Sequence, residues 1–297
     1  MEPQARFLHT QEPLANPGAD MPLDNRVPCG PEDLGSDSST LVLKVGYRGA
    51  RFSGFAAQEG QPTIAGELNE ALSVLLRRPA EVVCAGRTDA GVSALGQYVS
   101  LPVSARERRD YSAARLLRSL DALTSDDISL RGVWEAPAGF SARFDAEKRC
   151  YRYRIATGHR PVMAQGTALW VRQELDVASM DEAAGYLVGE HDFKSFCKAA
   201  SAEGKSTCRE ILRCQVSAGQ EYGEPLVYID VEGNAFLHNM VRIITGTLLE
   251  VGAGRRAPSW VGEVLSAADR RAAGPTAPPE GLFFIEVHYP NGLLHPW

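Results

Sequence analysis

Cys84-Ala85-Gly86-Arg87-Thr88-Asp89-Ala90-Gly91-Val92-Ser93-Ala94 is the stretch around which the rest of the sequence is organised. It follows the apolar run Val82-Val83-Cys84 and precedes a second one, Tyr98-Val99-Ser100-Leu101. That pattern predicts a loop between two short strands. Glycine adopts backbone shapes that other residues resist, so the loop can be tight and can lie close to a ligand. A carboxylate on a loop held by a rigid scaffold is a frequent seat of chemistry. Taken alone, the loop favours a plainer reading: a turn whose Asp caps its own backbone. Short motifs carry little information, and the remainder of the chain decides between the two.

Working outward, residues 41–47 alternate as a strand does, and a polar, Gly-containing loop follows to Phe55. Thr63 is placed to cap a helix bearing Ile64, Leu68, Leu72, Leu75 and Leu76, which ends before Pro79. Strands near 81–84 and 97–103 flank the Asp89 loop. A helix near 111–122 and a strand at 128–134 complete a β-α-β-β-α-β order. The second half repeats that order. It has a strand at 149–156, then a helix capped by Ser179 with Asp181 and Glu182 in its first turn. Strands follow near 207–216 and 226–232, and a helix over 236–251 carries Leu237, Val241, Ile244 and Leu248. Ser259 is placed to cap one more helix, and a last strand at 282–289 follows the turn Pro278-Pro279-Glu280-Gly281. The fold class expected is therefore α+β. Two similar subdomains, 41–145 and 146–297, would join mixed or antiparallel sheets around a central cleft. Residues 1–40 are rich in Pro, Gly, Asp and Ser without hydrophobic period and read as a disordered extension.

The totals bound the function. Of 297 residues, 44% are hydrophobic and 23% charged, an ordinary globular composition. No apolar run approaches the ~20 residues of a membrane span. No basic segment followed by an apolar core marks a secretory signal. Six scattered cysteines without a Cys-x-x-Cys pair argue against structural zinc and fit reduced thiols in a cytoplasmic protein. The net charge is −6, but residues 1–40 hold seven acids and two bases, so the remaining chain is close to neutral. A near-neutral body can present a basic face to nucleic acid.

Four segments can carry chemistry. Asp89 with Arg87 is the first. The second is the strand Arg149-Cys150-Tyr151-Arg152-Tyr153-Arg154, whose alternation puts Tyr151 and Tyr153 on one face and Arg152 and Arg154 on the other. An aromatic there can stack a base and an arginine can hold phosphate, although a half-buried strand with solvated arginines fits equally well. The third is Arg242, set among Met240, Val241, Ile243 and Ile244, where a guanidinium is costly unless a carboxylate such as Asp89 pairs with it or it reaches water. His238, one turn earlier, reads as a polar neighbour without a visible partner. The fourth is Gly281-Leu282-Phe283-Phe284, for which core packing is the plainer role. Arg51, Arg77, Arg78, Arg143, Lys194 and Lys198 are candidate phosphate contacts.

At this point the sequence resembles a known family. Gly86-Arg87-Thr88-Asp89-Ala90-Gly91-Val92 is similar to the catalytic motif of the tRNA pseudouridine synthase A family, and the likeness extends over most of 41–290. Tyr47 to Phe55, Phe140-Ser141-Ala142-Arg143-Phe144-Asp145 with Tyr151, Gly189-Glu190-His191-Asp192-Phe193, Asn239-Met240-Val241-Arg242 and Gly281-Leu282 resemble further motifs in order. The resemblance implies Asp89 as nucleophile, Tyr151 stacking on the target uracil, and Arg242 paired with Asp89. It implies that Arg87 holds the uridine out of its helix and that Leu282 lines the uridine site. The implied substrate is the anticodon stem-loop of tRNA, at positions 38 to 40, bound by a homodimer without cofactor or metal. Ser93, Ser141, Phe55-Ala56 and Ala65 depart from the family pattern without removing an implied catalytic group. Uridine isomerisation breaks the N1–C1′ bond and re-forms it at C5, and one carboxylate near C1′ or C2′ could attack covalently or take a proton. Two other classes stay open: a non-catalytic tRNA-binding protein on the same scaffold, and a hydrolase pairing Asp89 with Asp192 or Asp230.

Overall fold

The computed structural model describes residues 38–198 and 203–297. Its first half runs β1 (Ser39–Tyr47), α1 (Ile64–Leu76), β2 (Val83–Cys84), β3 (Ser93–Val103), α2 (Ala105–Asp110), α3 (Ala113–Leu123) and β4 (Ile128–Ala136). Its second half runs β5 (Lys148–Thr157), β6 (Leu169–Val171), α4 (Val177–Gly185), β7 (Gly189–Asp192), β8 (Cys208–Glu221), β9 (Glu224–Gly233), α5 (Met240–Gly252), α6 (Trp260–Ala267), β10 (Leu282–His288) and β11 (His295–Pro296). The expected extension over 1–40 lies outside the described residues up to 37. Ser39 and Thr40 already belong to β1, where the Thr40 hydroxyl donates to the Pro137 carbonyl at 3.1 Å.

The eleven strands among the described residues form one mixed sheet in the order β11-β4-β1-β3-β10-β5-β9-β8-β7, with β2 on β3 and β6 on β5. The α+β class and the joined sheet are as expected. The joint is β10, the last long strand. It runs parallel to β3, with Phe283 opposite Ser93, and antiparallel to β5, with Phe284 opposite Tyr151. One C-terminal strand thus ties the Asp89 half to the Tyr151 half. Alternation along β5 buries Arg149, Tyr151, Tyr153 and Ile155 and leaves Arg152 and Arg154 partly exposed.

Helices pack on this sheet through short apolar stripes. Thr63 caps α1 as expected, its hydroxyl accepting from the Gly66 amide at 3.2 Å, and Ile64, Leu68, Ala71 and Leu72 are buried. Helix α3 packs on β4 and against α1; α4 packs on β8 and against α5. The cap of α4 is Asp176, not Ser179. The Asp176 carboxylate accepts from both the Ser179 amide at 3.0 Å and its hydroxyl at 2.7 Å, so Ser179 sits inside the first turn. An Asp at N-cap out-competes a Ser three residues on because it takes two of that turn's donors. Helix α5 begins at Met240, four residues later than the periodicity suggests, because Asn239 adopts a left-handed backbone with φ 63°. Its middle lies hard against residues 274–277: a Cβ at Gly246 would stand 1.7 Å from the Pro275 carbonyl oxygen. Among the described residues no helix is long and apolar enough to cross a membrane.

Candidate active site

The loop from Ala85 to Val92 is held by the sheet it leaves and re-enters. The Ala85 amide donates to Tyr98, and the fully buried Gln97 side chain donates to the Gly86 carbonyl at 2.7 Å. The Thr88 hydroxyl meets the Tyr47 hydroxyl at 2.8 Å, and the Thr88 carbonyl accepts from Phe55 at 3.0 Å. The turn closes when the Val92 amide donates to the Asp89 carbonyl at 3.1 Å, with Gly91 at φ 81°, a region that side-chain-bearing residues avoid. Gly86 answers to space: a Cβ there would sit 3.1 Å from the Phe284 ring and 3.5 Å from the Tyr151 hydroxyl. A side chain there would press on the Phe284 ring, which would have to give by a few tenths of an ångström, while its approach to Tyr151 would be ordinary contact.

This scaffolding presents Asp89 half-buried, with both carboxylate oxygens facing the N-terminal end of α5. Oδ2 lies 3.4 Å from Arg242 Nη1, as the sequence predicts. Oδ1 lies 3.3 Å from His238 Nε2. Arg242 is itself fixed: its Nε donates to the Ala277 carbonyl at 2.7 Å and its Nη1 to Asn239 Oδ1 at 2.9 Å. Charge-assisted contacts are ordinarily ~2.7–2.9 Å. The longer contacts on Asp89 orient the carboxylate while leaving its oxygens accessible to a reacting atom.

Tyr151 forms one wall, packed edge-on against Phe236 and Phe284 at centroid distances of 4.8 Å and 4.9 Å. Burial pushes its phenol well above the usual tyrosine range, so the group there is a neutral hydroxyl. Two positions before it, Arg149 is buried and donates to the backbone carbonyls of Ala85 at 3.1 Å, Ala146 at 3.2 Å and Asn234 at 2.5 Å, and to that of Arg143. Burial draws its pKa below the ordinary arginine value. With four carbonyl partners this cation joins the Asp89 loop to β5 and to the segment that leads into α5.

Asp89, Arg87, Tyr151, Arg242, Leu282 and Arg143 all line one cleft of about 1370 Å³ between the halves. Arg87 is exposed on its rim and makes no ion pair among the described residues. Leu282, which also lines the cleft, is buried. Arg51 and Lys198 do not line the cleft. Arg51 pairs with the buried Asp127 at 3.2 Å, and the exposed Lys198 donates its backbone amide to the His238 carbonyl at 3.2 Å. Arg78 is occupied by Glu107 at 2.6 Å. On the opposite face of β5, Arg152 pairs with Asp230 and Arg154 with Glu221. Asp192 accepts from Thr207 and the Lys194 amide. The acids lining the cleft among the described residues are Asp89 and Glu81, so neither Asp192 nor Asp230 joins Asp89 there.

The sequence named His238, Asn239 and Arg149 without giving them a role in the cleft, and Lys205 and Arg209 were not singled out at all. His238 lies in the turn before α5, so its four-residue separation from Arg242 is not helical spacing and carried no signal. For Asn239 the deciding feature is a backbone angle, which composition and periodicity do not encode.

A family model described as tRNA pseudouridine synthase matches residues 183–290. The tRNA pseudouridine synthase A of Vibrio parahaemolyticus is 39% identical over 253 residues, covering 84% of this chain and 92% of its own length. The protein of that name from Pseudomonas aeruginosa is 40% identical over 270 residues, covering 89% and 90%. That of Frankia casuarinae is 41% identical over 256 residues, covering 84% and 89%.

Proposed function

This chain belongs to the tRNA pseudouridine synthase A family, and on that premise we propose that it converts uridine to pseudouridine in the anticodon stem-loop of tRNA, at positions 38 to 40, with Asp89 as nucleophile. The coarser activity, isomerisation of uridine in tRNA, follows from membership of the family. The observation that supports the finer reading is the convergence of Asp89, Tyr151 and Arg242 on one cleft from three separate elements.

In this reading the target uridine enters the cleft flipped from its stem, and its base stacks on Tyr151. Arg87 occupies the gap on the rim, and Arg143 meets the backbone, with Arg51 and Lys198 further out. The Asp89 carboxylate attacks C1′ as the N1–C1′ bond breaks, and the uracil leaves as its N1 anion. The walls of the cleft retain the free base while it turns. C5 then attacks C1′, the Asp89 carboxylate departs with its electron pair, and the C5 proton passes to water as N1 takes up a proton. No electron is gained or lost overall, and no co-reactant is consumed. His238 and Arg242 hold the carboxylate before attack and accept its charge again on departure. A homodimer would let one tRNA lie across two subunits.

The test is tRNA carrying tritium at C5 of its uridines. Wild-type protein is expected to release tritium to water. Asp89→Asn is expected to release it at least about 10⁴-fold more slowly while still binding tRNA. Full activity of that variant would remove Asp89 from the mechanism. Binding without release by the wild type would turn the reading towards a non-catalytic tRNA-binding protein.

A further inference from the structure

We propose that Asn239 is a positioning residue that aims the Arg242 guanidinium at Asp89. The inference rests on the reading of Asp89 as nucleophile and adds a role for the first residue of the Asn239-Met240-Val241-Arg242 segment.

Three observations converge on it. Asn239 lies in the left-handed region at φ 63°, ψ 7°, an uncommon conformation outside glycine and one kept where surrounding structure demands it. It occupies the N-cap of α5, where an Asn side chain would ordinarily accept from the second or third amide of the helix. It makes no such cap bond. Its side-chain oxygen instead accepts from Arg242 Nη1 at 2.9 Å. A good capping side chain has thus been diverted from its own helix to a guanidinium one turn on.

The geometry explains what the diversion achieves. A guanidinium is planar and its five N–H bonds point in fixed directions. Arg242 Nε is held by the Ala277 carbonyl at 2.7 Å, which fixes one edge of the plane. That carbonyl is fixed in turn, because the Ala277 amide donates back to the Arg242 carbonyl at 3.0 Å. One anchor still leaves the plane free to swing about the Nε contact. Asn239 supplies the second anchor, on Nη1, the same nitrogen that faces Asp89 Oδ2 at 3.4 Å. Nη1 carries two hydrogens. With one committed to Asn239, the other is directed at Asp89. With that left-handed backbone, the Asn239 side-chain oxygen meets the guanidinium and makes no cap bond to the helix.

Two variants separate this role from a purely conformational one. Asn239→Gly keeps the left-handed backbone, which glycine adopts freely, and deletes the acceptor. Asn239→Ala deletes the acceptor and strains the backbone as well. Full-length protein is assayed by release of tritium from C5-labelled tRNA, with tRNA affinity measured by filter binding and folding by thermal melting. The expected result for Asn239→Gly is a fall in kcat of at least about tenfold, since small misplacements of a catalytic contact are amplified in rate. KM and tRNA affinity stay within about twofold of wild type, and the melting temperature is unchanged. In an Asp89→Asn background Asn239→Gly produces no further loss, because both act through one contact. The proposal is overturned if Asn239→Gly keeps wild-type kcat while Asn239→Ala melts early, which would leave Asn239 a backbone role only. It is also overturned if Asn239→Gly raises KM and leaves kcat intact, which would make Asn239 a direct RNA contact. Failure of the underlying reading looks different: Asp89→Asn would then retain activity, or the wild type would release no tritium.

Discussion

Two aspartates in this molecule are held by arginines in opposite ways. Asp230 on β9 takes Arg152 fork to fork, Nε to one oxygen at 2.7 Å and Nη2 to the other at 2.9 Å, and the same guanidinium lies 4.7 Å above the Tyr228 ring. Asp89 takes Arg242 through one nitrogen at 3.4 Å, and the donors of Arg242 that make shorter contacts go to Ala277 and Asn239. The first pair is complete in itself and offers a substrate little. The second is incomplete by construction, because the protein fixes the arginine with other acceptors and leaves the carboxylate lightly bonded. Bond length and partner count therefore separate the two roles, and the shorter ion pair is the one expected to matter less to the reaction.

Arg242→Lys is the sharpest way to break that contrast after loss of Asp89 itself. Lysine keeps the charge but lacks the planar fork, so one ammonium cannot serve Ala277, Asn239 and Asp89 together. Single-turnover tritium release is expected to slow by about 10²-fold. Full activity would show that charge alone suffices, and the anchoring at Ala277 and Asn239 would lose its meaning. A smaller effect is expected of His238→Leu, which removes the contact on the other Asp89 oxygen. A contact worth no more than one hydrogen bond, net ~0.5–1.5 kcal/mol, corresponds to a rate loss of at most about threefold to tenfold. A loss as large as that of Arg242→Lys would mean that His238 moves a proton instead of orienting the carboxylate.

The sequence made the Asp89 loop and Tyr151 legible for a physical reason. Two glycines, an arginine and an aspartate between apolar runs form a compositional signal, and alternation along a strand assigns Tyr151 a buried face without further help. Arg242 was legible because an arginine among apolar helix residues demands a partner. The devices that aim these groups were not. Asn239 acts through a left-handed φ, Arg149 through four backbone carbonyls supplied by distant segments, and His238 through a turn that ends just before α5 begins. Such contacts are made by the tertiary path of the chain, and local pattern does not carry them. The same holds for the fold: the main strands and helices were readable in order, but the short α2, β6, β7 and β11 were not, and the insertion of β10 between β3 and β5 depends on where a strand almost 200 residues downstream of β3 pairs.

The smallest effect is expected at the shorter pair, and it is the most informative about the contrast. Arg152→Met removes the fork on Asp230 while keeping a long apolar stem over Tyr228. Arg152 is 42% exposed and Asp230 21%, so solvent screens the pair and replaces part of what is lost. Exposed ion pairs contribute ~0.2–1 kcal/mol, which sets a melting shift of no more than about 3 °C in a chain of this size. Arg152 and Tyr151 occupy opposite faces of β5, so turnover on C5-labelled tRNA is expected to stay within about twofold of wild type. Melting, tritium release and filter binding of tRNA on the same preparation decide the matter. A stable variant with a large loss of tRNA affinity would make Arg152 a phosphate contact despite its partner. A tight bidentate pair would then no longer mark a structural arginine, and the reading of Asp89 from its loose one would have to stand on the cleft alone.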